Sequence, residues 1–264
     1  MGLFHVVLLA VIQGLTEFLP VSSSGHVVIA AELLDASGST EALDVVELNI
    51  ALHLGTLLSI LVFYGKHVRQ LLGRDRRTIG LLVVGTIPAA IVGLLLRAHA
   101  KSWLSSPFLA GCMLLITGCV LLAVPRLERG DAGYQQLSFV RAIRIGIAQA
   151  VALLPGISRS GMTITAGLAN GLSRDAAAAF SFLLAIPAIG GGAVLELVVL
   201  AGDAGRSVPL SSLAVGAVVA FATGLFALWW VVRWLERGRL QYFAYWCIPV
   251  GVAVIIWQIA KFWT

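Results

Sequence analysis

Charged residues are scarce in this chain of 264 residues, at 12% of the total. Soluble globular domains carry about 25%, whereas 59% of this chain is hydrophobic and its mean hydropathy is +0.97. This composition excludes an ordinary soluble fold and predicts an all-α integral membrane protein. Only three cysteines occur, all in apolar segments, so we expect buried thiols rather than disulfides or a metal site.

Motifs of several enzyme classes are also missing. The sequence has no Walker loop, no Cys-x-x-Cys pair and no His-Glu-x-x-His, so nucleotide and zinc enzymes have no support. The net charge of +5 does not indicate a nucleic-acid partner, because the basic residues are grouped in short loops between apolar runs, where they set membrane orientation. The groups are Lys66, Arg69, Arg74, Arg76 and Arg77; Arg126, Arg129, Arg141 and Arg144; and Arg233, Arg237 and Arg239.

Six apolar stretches are long enough to cross a bilayer as transmembrane helices. They cover 47–64, 79–97, 108–125, 176–200, 212–233 and 242–262. The basic groups follow the first, third and fifth of them, which assigns those loops to the cytoplasm. The segment 35–46 and the loop around Asp203 are then expected outside. The early stretch from Leu3 to Ile12 lacks a basic start and an Ala-x-Ala exit, so we do not interpret it as a cleaved signal peptide.

Two further apolar regions are too interrupted to span. The region 1–34 is broken at Pro20, and the region 140–172 is broken at Pro155-Gly156. Apolar runs of about 10–14 residues are typical of re-entrant or interfacial pieces. We therefore predict two re-entrant helix-loop-helix hairpins, each of which dips into the membrane and returns.

The spans and hairpins together predict an internal duplication. The first hairpin must enter from outside and the second from inside. Each half of the chain, 1–130 and 131–264, then contains one hairpin and three spans. Because three is odd, the halves have opposite orientations. The expected fold is an inverted-topology repeat within one structural domain, with the broken helices meeting near the midplane.

The two breaks carry imperfect copies of one motif. Residues 19–26 read Leu-Pro-Val-Ser-Ser-Ser-Gly-His, and residues 154–162 contain Leu-Pro and Ser-Arg-Ser-Gly; each follows a glutamine, Gln13 or Gln149. Gln13 shares a helix face with Glu17, four residues on. A carboxylate at membrane depth costs about 2.5–3.5 kcal/mol. Glu17 therefore needs a cation, a metal or a proton.

Groups suited to phosphate follow each break. The runs 22–25 and 158–161 both read as helix N-caps, and the free N–H groups of a helix start bind anions. Arg159 adds a guanidinium that can clamp two phosphate oxygens. His26 and Thr163 lie close along the helices that follow. If the loops meet near Glu17, the set can bind a phosphorylated headgroup and supply a nucleophile or base for hydrolysis.

Plainer interpretations of the same residues stay open. Serines in membrane helices often bond to backbone or join helices. His26 can be a packing residue, and Arg159 can be a counter-ion of Glu17 without any substrate. For His53 helix packing is the favoured interpretation, and for Glu196 an interfacial position near a span end. A transporter or flippase for an anionic lipid or solute is the main alternative function.

Both motifs, together with 52–56 and 180–187, resemble the undecaprenyl-diphosphatase family, the bacitracin-resistance membrane phosphatases of bacterial cell-wall lipid recycling. The resemblance covers nearly the whole chain. It implies a multi-pass protein of the bacterial inner (plasma) membrane that removes the terminal phosphate of a polyprenyl diphosphate. It also implies a divalent cation, usually Mg²⁺, and a site open to the extracytoplasmic side. A homodimer is compatible with it.

The resemblance also implies residue roles. Glu17 is the essential carboxylate, His26 or Ser23 is the nucleophile or base, and Arg159 is the centre of the phosphate cradle. Residues of the two N-cap runs, with Thr163 just beyond the second, complete the substrate site; they are Ser22, Ser24, Gly25, Ser158, Ser160, Gly161 and Thr163.

Two positions depart from the family pattern, and both bear on the metal. The family's first helix commonly carries two glutamates four residues apart, and Gln13 replaces the first of them here. Asn49 stands near the start of the first span, where the family often has an acidic residue. The predicted metal ligands are therefore Glu17 and Gln13. An amide oxygen can ligate Mg²⁺, but this set carries less negative charge.

Overall fold

A computed structural model describes residues 2–36, 46–73, 75–99, 104–127, 130–200 and 208–263. Within these ranges the chain is helical and contains no β-strand, only an isolated parallel bridge between Ala132 and Leu172. The α-helices of the described ranges, in chain order, are α1 (Leu3–Phe18), α2 (Ser23–Ala36), α3 (Val46–Phe63), α4 (Gly65–Gly73), α5 (Arg76–His99), α6 (Pro107–Ala123), α7 (Phe139–Val151), α8 (Arg159–Ala169), α9 (Arg174–Leu200), α10 (Leu210–Glu236) and α11 (Ala244–Trp263).

The helices confirm an all-α, multi-pass membrane protein. In the described ranges five helical segments are long and apolar enough to cross a bilayer, and they overlap five of the predicted spans: Arg76–His99, Pro107–Arg126, Arg174–Val198, Leu210–Glu236 and Leu240–Lys261. Near the remaining prediction, 47–64, α3 and α4 form a pair bent by 77°, which makes a sixth span if the pair is counted as one. The basic residues Lys66 and Arg69, which were predicted to lie in a loop, therefore lie in the short helix α4.

Four short helices occupy the two regions predicted as hairpins. Helix α1 has 16 residues and α2 has 14, and the chain between them turns at Pro20. Helix α7 has 13 residues and α8 has 11, with Pro155-Gly156 between them. The prolines therefore end helices where the sequence predicts. The predicted outer segment 35–46 and the loop around Asp203 fall almost entirely outside the described residues.

Packing between the two halves is reciprocal. Helix α1 of the first half packs along α10 of the second, and α7 of the second packs along α5 of the first. Glycines allow both approaches: a Cβ on Gly14 would lie 2.7 Å from the Ala220 carbonyl oxygen, and one on Gly146 would lie 2.2 Å from that of Gly85. Helices α3 and α9 pack between these pairs, and α6 packs against α11.

The described residues of the three basic groups lie at one end of the helix bundle. There, Arg77 at the start of α5 donates to the backbone carbonyls of Gln135 and Leu137, ahead of α7. Arg174 at the start of α9 donates to the Glu236 carbonyl at the end of α10, 3.0 Å away. At the other end, Lys261 of α11 pairs with Glu32 of α2, with 2.5 Å between nitrogen and oxygen. The bundle therefore has one strongly basic end.

Candidate active site

The first loop is a tight turn organised by Ser22. Pro20 follows the end of α1, and Ser22 then adopts a positive φ of 71°, which a non-glycine residue adopts only where local contacts hold it. Its Oγ accepts a hydrogen bond from the Gly25 N–H at 3.3 Å and lies 3.4 Å from the Ser24 Oγ. Ser22 is thereby the N-cap of α2.

The second loop repeats the hydrogen bonds of the first. The Ser158 Oγ accepts from the Gly161 N–H at 3.1 Å and lies 3.2 Å from the Ser160 Oγ, so Ser158 is the N-cap of α8. Gly156 supplies the turn, with a φ of 94° that favours glycine. The side-chain hydrogen bonds of the Ser-x-Ser-Gly motif thus occur twice, although the residue with a positive φ is Ser22 in the first loop and Gly156 in the second.

The two loops contact each other directly. The Gly156 N–H donates to the Ser22 Oγ at 3.1 Å, and the Ser160 Oγ donates to the Leu19 carbonyl at 3.3 Å. Thr117 of α6 fixes the second loop from behind: its Oγ1 donates to the Gly156 carbonyl at 2.8 Å and accepts from the Ser158 N–H at 3.1 Å. The starts of α2 and α8 are therefore held side by side.

Glu17 is the centre of the polar groups that meet there. Its Oε1 lies 3.0 Å from the Arg159 Nη2, and its Oε2 accepts from the Ser23 Oγ at 2.7 Å and from the Gln13 Nε2 at 3.0 Å. The Glu17 side chain is only 7% exposed. The ion pair and hydrogen bonds offset the cost of burying this carboxylate. The carboxylate, the guanidinium and one hydroxyl of the predicted set are thus brought together.

These groups line a cavity of about 250 Å³. Its polar lining is Thr16, Glu17, Ser22, Ser23, Ser24, His53, Gln149, Ser158, Arg159 and Glu196. Its apolar and small lining is Ala89, Ala152, Leu153, Ile157, Ala188, Ile189, Gly192 and Ala193. The starts of α2 and α8 both face this space, so two positive helix ends accompany Arg159. A cavity of this kind suits an anionic group joined to an apolar chain.

His26 is outside the lining of this cavity. Its Nδ1 lies 2.8 Å from the Ser22 carbonyl and donates to it, and its Nε2 accepts from the Trp246 Nε1 at 2.9 Å. The two rings are stacked, with 13° between their planes. Both ring nitrogens are therefore engaged away from Glu17, and the structure does not bring the imidazole to the space that Ser23 faces.

Several other predicted substrate residues also lie behind the cavity wall. Thr163 donates to the Arg159 carbonyl at 2.8 Å and lies 2.5 Å from the Ser181 Oγ. The predicted residues absent from the lining are Gln13, Gly25, His26, Ser160, Gly161 and Thr163. Their contacts shape the loops and the Glu17 environment from behind.

His53 and Glu196 line the cavity although the sequence favoured packing and interfacial interpretations for them. The His53 Nδ1 donates to the Asn49 carbonyl at 2.9 Å, which leaves its Nε2 to accept from the Gln13 Nε2 at 3.2 Å. The Asn49 Nδ2 donates to a Glu196 carboxylate oxygen at 3.1 Å. Hydrogen-bonded groups thus continue from Glu17 toward the end of the bundle opposite the basic groups. The one sequence feature that could have indicated a functional role for His53 and Glu196 is that each is a polar residue within an apolar stretch.

A divalent cation has few protein ligands here. Among the described residues no group of three or more histidine, cysteine, aspartate and glutamate side chains could hold a metal ion. Mg²⁺ in phosphate-binding sites usually takes one or two protein carboxylates, and phosphate oxygens and waters complete its shell. Glu17 is compatible with that minimal role. The neighbouring Gln13 presents its Nε2 to Glu17, so its amide would have to rotate for the oxygen to ligate a cation.

Comparison with known proteins identifies the family. The family model of bacitracin resistance protein BacA matches residues 6–253. The undecaprenyl-diphosphatase of Rhodopirellula baltica is 48% identical over 255 residues, which cover 96% of this chain and 97% of that protein. The undecaprenyl-diphosphatase of Halothermothrix orenii is 38% identical and covers 97% of this chain and 98% of its own. Undecaprenyl-diphosphatase 3 of Bacillus cereus is 36% identical, with 99% of both chains covered. The chain therefore belongs to the bacitracin resistance protein BacA family.

Proposed function

We propose that the protein is a membrane phosphatase that hydrolyses undecaprenyl (polyprenyl) diphosphate to the monophosphate and inorganic phosphate, and so recycles the cell-wall lipid carrier. The observation that carries the proposal is the contact of the Ser23 Oγ with Glu17, 2.7 Å, beside the Glu17–Arg159 ion pair at 3.0 Å in one cavity. Family membership and the names of the relatives support the same activity. A binding site for transport requires no hydroxyl paired with a buried carboxylate.

The substrate fits the cavity in one orientation. The diphosphate lies against Arg159 and the N-termini of α2 and α8, where charge and N–H groups favour an anion. The first isoprene units lie along the apolar wall, which includes Ala188 and Ile189. Gly192 lines the cavity and is also exposed on the outer face of α9. The polyprenyl chain of the substrate therefore passes into the lipid at Gly192.

Ser23 is the nucleophile in the proposed reaction, and Glu17 is its base. The Ser23 Oγ attacks the terminal phosphorus while its proton moves to the Glu17 Oε2. The bond from that phosphorus to the bridging oxygen breaks, and the bridging oxygen leaves with the electron pair on the polyprenyl monophosphate. Arg159 and the two helix ends stabilise the charge on the transferred phosphoryl group. Water then releases phosphate from Ser23.

His26 has a positioning role in this scheme. Its Nδ1 holds the carbonyl of Ser22, the residue before the nucleophile, and Trp246 fixes the ring from the other side. We therefore assign nucleophile and base to Ser23 and Glu17 rather than to the imidazole. A divalent cation, with Mg²⁺ as the expected ion, would be held by Glu17, Gln13 and the diphosphate oxygens. When bound, it would neutralise part of the diphosphate charge.

The proposed architecture is an inverted repeat of six spans and two re-entrant hairpins in the bacterial inner membrane. Three observations support it: the N-caps Ser22 and Ser158 have matching hydrogen bonds, α1–α10 and α7–α5 pack reciprocally, and the described residues of the basic groups share one end. With that basic end in the cytoplasm, Asn49 and Glu196 lie on the extracytoplasmic side. The cavity then opens toward that side.

Phosphate release by the purified protein tests the proposal. Polyprenyl diphosphate in detergent is supplied with and without chelator to the natural chain and to Glu17→Ala, Ser23→Ala and Arg159→Ala. Arg237→Ala, an exposed arginine outside the cavity, is the matched control. We expect release from the natural chain and the control, and loss in the three cavity variants. If the natural chain releases no phosphate with any cation, the phosphatase assignment fails and the transporter alternative gains support.

A further inference from the structure

Gln149 is a buried amide without hydrogen bonds. It lies on α7 ahead of the second loop, is 1% exposed and lines the cavity. Neither its Nε2 nor its Oε1 has a hydrogen-bond partner among the described residues. A buried polar atom left unpaired costs roughly 1–3 kcal/mol. Two such atoms on one side chain indicate that the native partner is a molecule that enters the cavity.

The matching glutamine of the first hairpin is different. Gln13 is also buried and precedes its loop, but its Nε2 contacts both the Glu17 Oε2, at 3.0 Å, and the His53 Nε2, at 3.2 Å. Burial of a glutamine before the loop is thus common to both hairpins, whereas the missing partners are a property of Gln149. General packing of the hairpins does not account for the difference.

A second unpaired donor belongs to the same cavity. Arg159 uses its Nη2 for Glu17, while its Nη1 is buried and has no hydrogen-bond partner in the described part of the chain. Phosphate oxygens accept hydrogen bonds, so a bound phosphoryl group satisfies the Arg159 Nη1 and the Gln149 Nε2 together. Ionised phosphate has no hydrogen to donate. The Gln149 Oε1 therefore requires a different partner, and water is the donor that the hydrolysis consumes.

We infer that Gln149 orients the hydrolytic water: its Nε2 binds an oxygen of the phosphoryl group on Ser23, and its Oε1 accepts a hydrogen bond from the attacking water. This inference rests on the proposed function. An amide that spans the phosphoryl group and the water sets the angle of attack, as glutamine does in GTPases. Gln149 thereby acts in the second half of the reaction.

The step balances without a further reactant. The water oxygen bonds to phosphorus, and the bond between phosphorus and the Ser23 Oγ breaks, with its electron pair returning to Oγ. Glu17, which has lost its first proton to solvent, takes one proton from the water and passes it to Oγ. Ser23 regains its hydroxyl, Glu17 is again ionised, and hydrogen phosphate leaves.

Trapping of the phosphoryl group tests the inference. Polyprenyl diphosphate radiolabelled on its terminal phosphate is mixed with Gln149→Met, and protein-bound label is measured after rapid acid quench. Methionine keeps the volume and removes both polar atoms. We expect kcat to fall about 100-fold, because misplacing a reacting group by about 1 Å can cost 10²-fold. KM should fall with kcat, because loss of the phosphoryl group from Ser23 becomes the rate-limiting step. Label should accumulate on the protein and disappear when Ser23→Ala is added.

Two further variants sharpen the result. Gln149→Glu keeps an acceptor for water but repels phosphate, so its KM should rise and little label should be trapped. This variant also tests the inference if the methionine variant does not fold. Gln136→Met changes an exposed glutamine and should behave as the natural chain. Three results would overturn the inference. They are an unchanged kcat in Gln149→Met, slow turnover of Gln149→Met without protein-bound label, and equal amounts of protein-bound label in Gln149→Met and Gln149→Glu. Failure of the proposed function is distinct, because the natural chain would then release no phosphate.

Discussion

Contact between the two loops leaves no room for a methyl group on Gly25. A Cβ there would lie 2.8 Å from both the N and the Cα of Gly156, whereas ordinary contacts begin at 3.4 Å. The Gly25→Ala substitution therefore requires the loops to separate by about 0.6 Å, the difference between these distances. Gly156 is itself tightly packed, because a Cβ built on it would lie 2.2 Å from the Ala110 carbonyl oxygen.

Helix α2 must take up most of this displacement. Its first residue, Ser23, then moves relative to Glu17, which belongs to α1, and the 2.7 Å hydrogen bond between them lengthens. A misplacement of about 1 Å can cost 10²-fold in rate. For the smaller shift in Gly25→Ala we expect a loss of about 10- to 50-fold in kcat. Phosphate release at saturating polyprenyl diphosphate measures it.

Gly190→Ala is the matched control, because a Cβ at Gly190 has no neighbour within 4 Å. It should retain full activity and gain slightly in stability, since alanine favours the helix by up to about 1 kcal/mol. Thermal unfolding in detergent monitors folding of both variants. A folded Gly25→Ala variant with the natural kcat would show that contact between the loops does not set the position of the nucleophile, and the reasoning would be wrong.

Other perturbations separate the roles of the cavity groups. Glu17→Gln keeps an oxygen for the Ser23 hydroxyl but removes the base, so phosphate release should drop by at least about 100-fold; a rate above a tenth of normal would contradict the role of Glu17. Gly192→Leu should raise KM for long polyprenyl substrates and spare short ones, because it narrows the exit on α9, while Gly191→Leu, outside the cavity lining, should change neither. Trp246→Phe removes the donor to His26 but keeps a ring beside it, so only a few-fold decrease in kcat is expected, in line with one hydrogen bond of about 1 kcal/mol; a loss equal to that of His26→Ala would mean that the indole N–H alone fixes the ring. Chelation of divalent cations should slow phosphate release reversibly, with restoration by Mg²⁺, and full activity in chelator would exclude the proposed metal ligands Glu17 and Gln13.

Local chemistry made the helix breaks and caps predictable from sequence. Proline ends a helix and serine caps one through bonds within a few residues, so Pro20, Ser22 and Ser158 have the positions that the sequence indicates. Apolar length likewise identified the long helices. The bend after Phe63 was not predicted. The composition of 47–73 does not distinguish a loop after the span from a short helix that is bent by 77° relative to it.

Side-chain direction was harder to predict than backbone structure. His26 lies beside Ser23 in sequence, yet its ring turns to Trp246, a residue 220 positions away that sequence spacing cannot connect. His53 turns inward because α3 packs between α1, α9 and α10. The face that a helix shows to a cavity depends on its rotation against distant neighbours, and that rotation is a tertiary property.

The shared hydroxyl of Ser22 has a consequence for biosynthesis. It caps its own helix and also satisfies the backbone N–H of Gly156, so neither hairpin has a complete set of partners until both are inserted. The N-terminal portion emerging from the ribosome holds Glu17 and Ser23 but lacks their guanidinium. Catalytic competence therefore arises only after translation has passed α8, and two separately expressed halves should be inert alone and active when they reassociate.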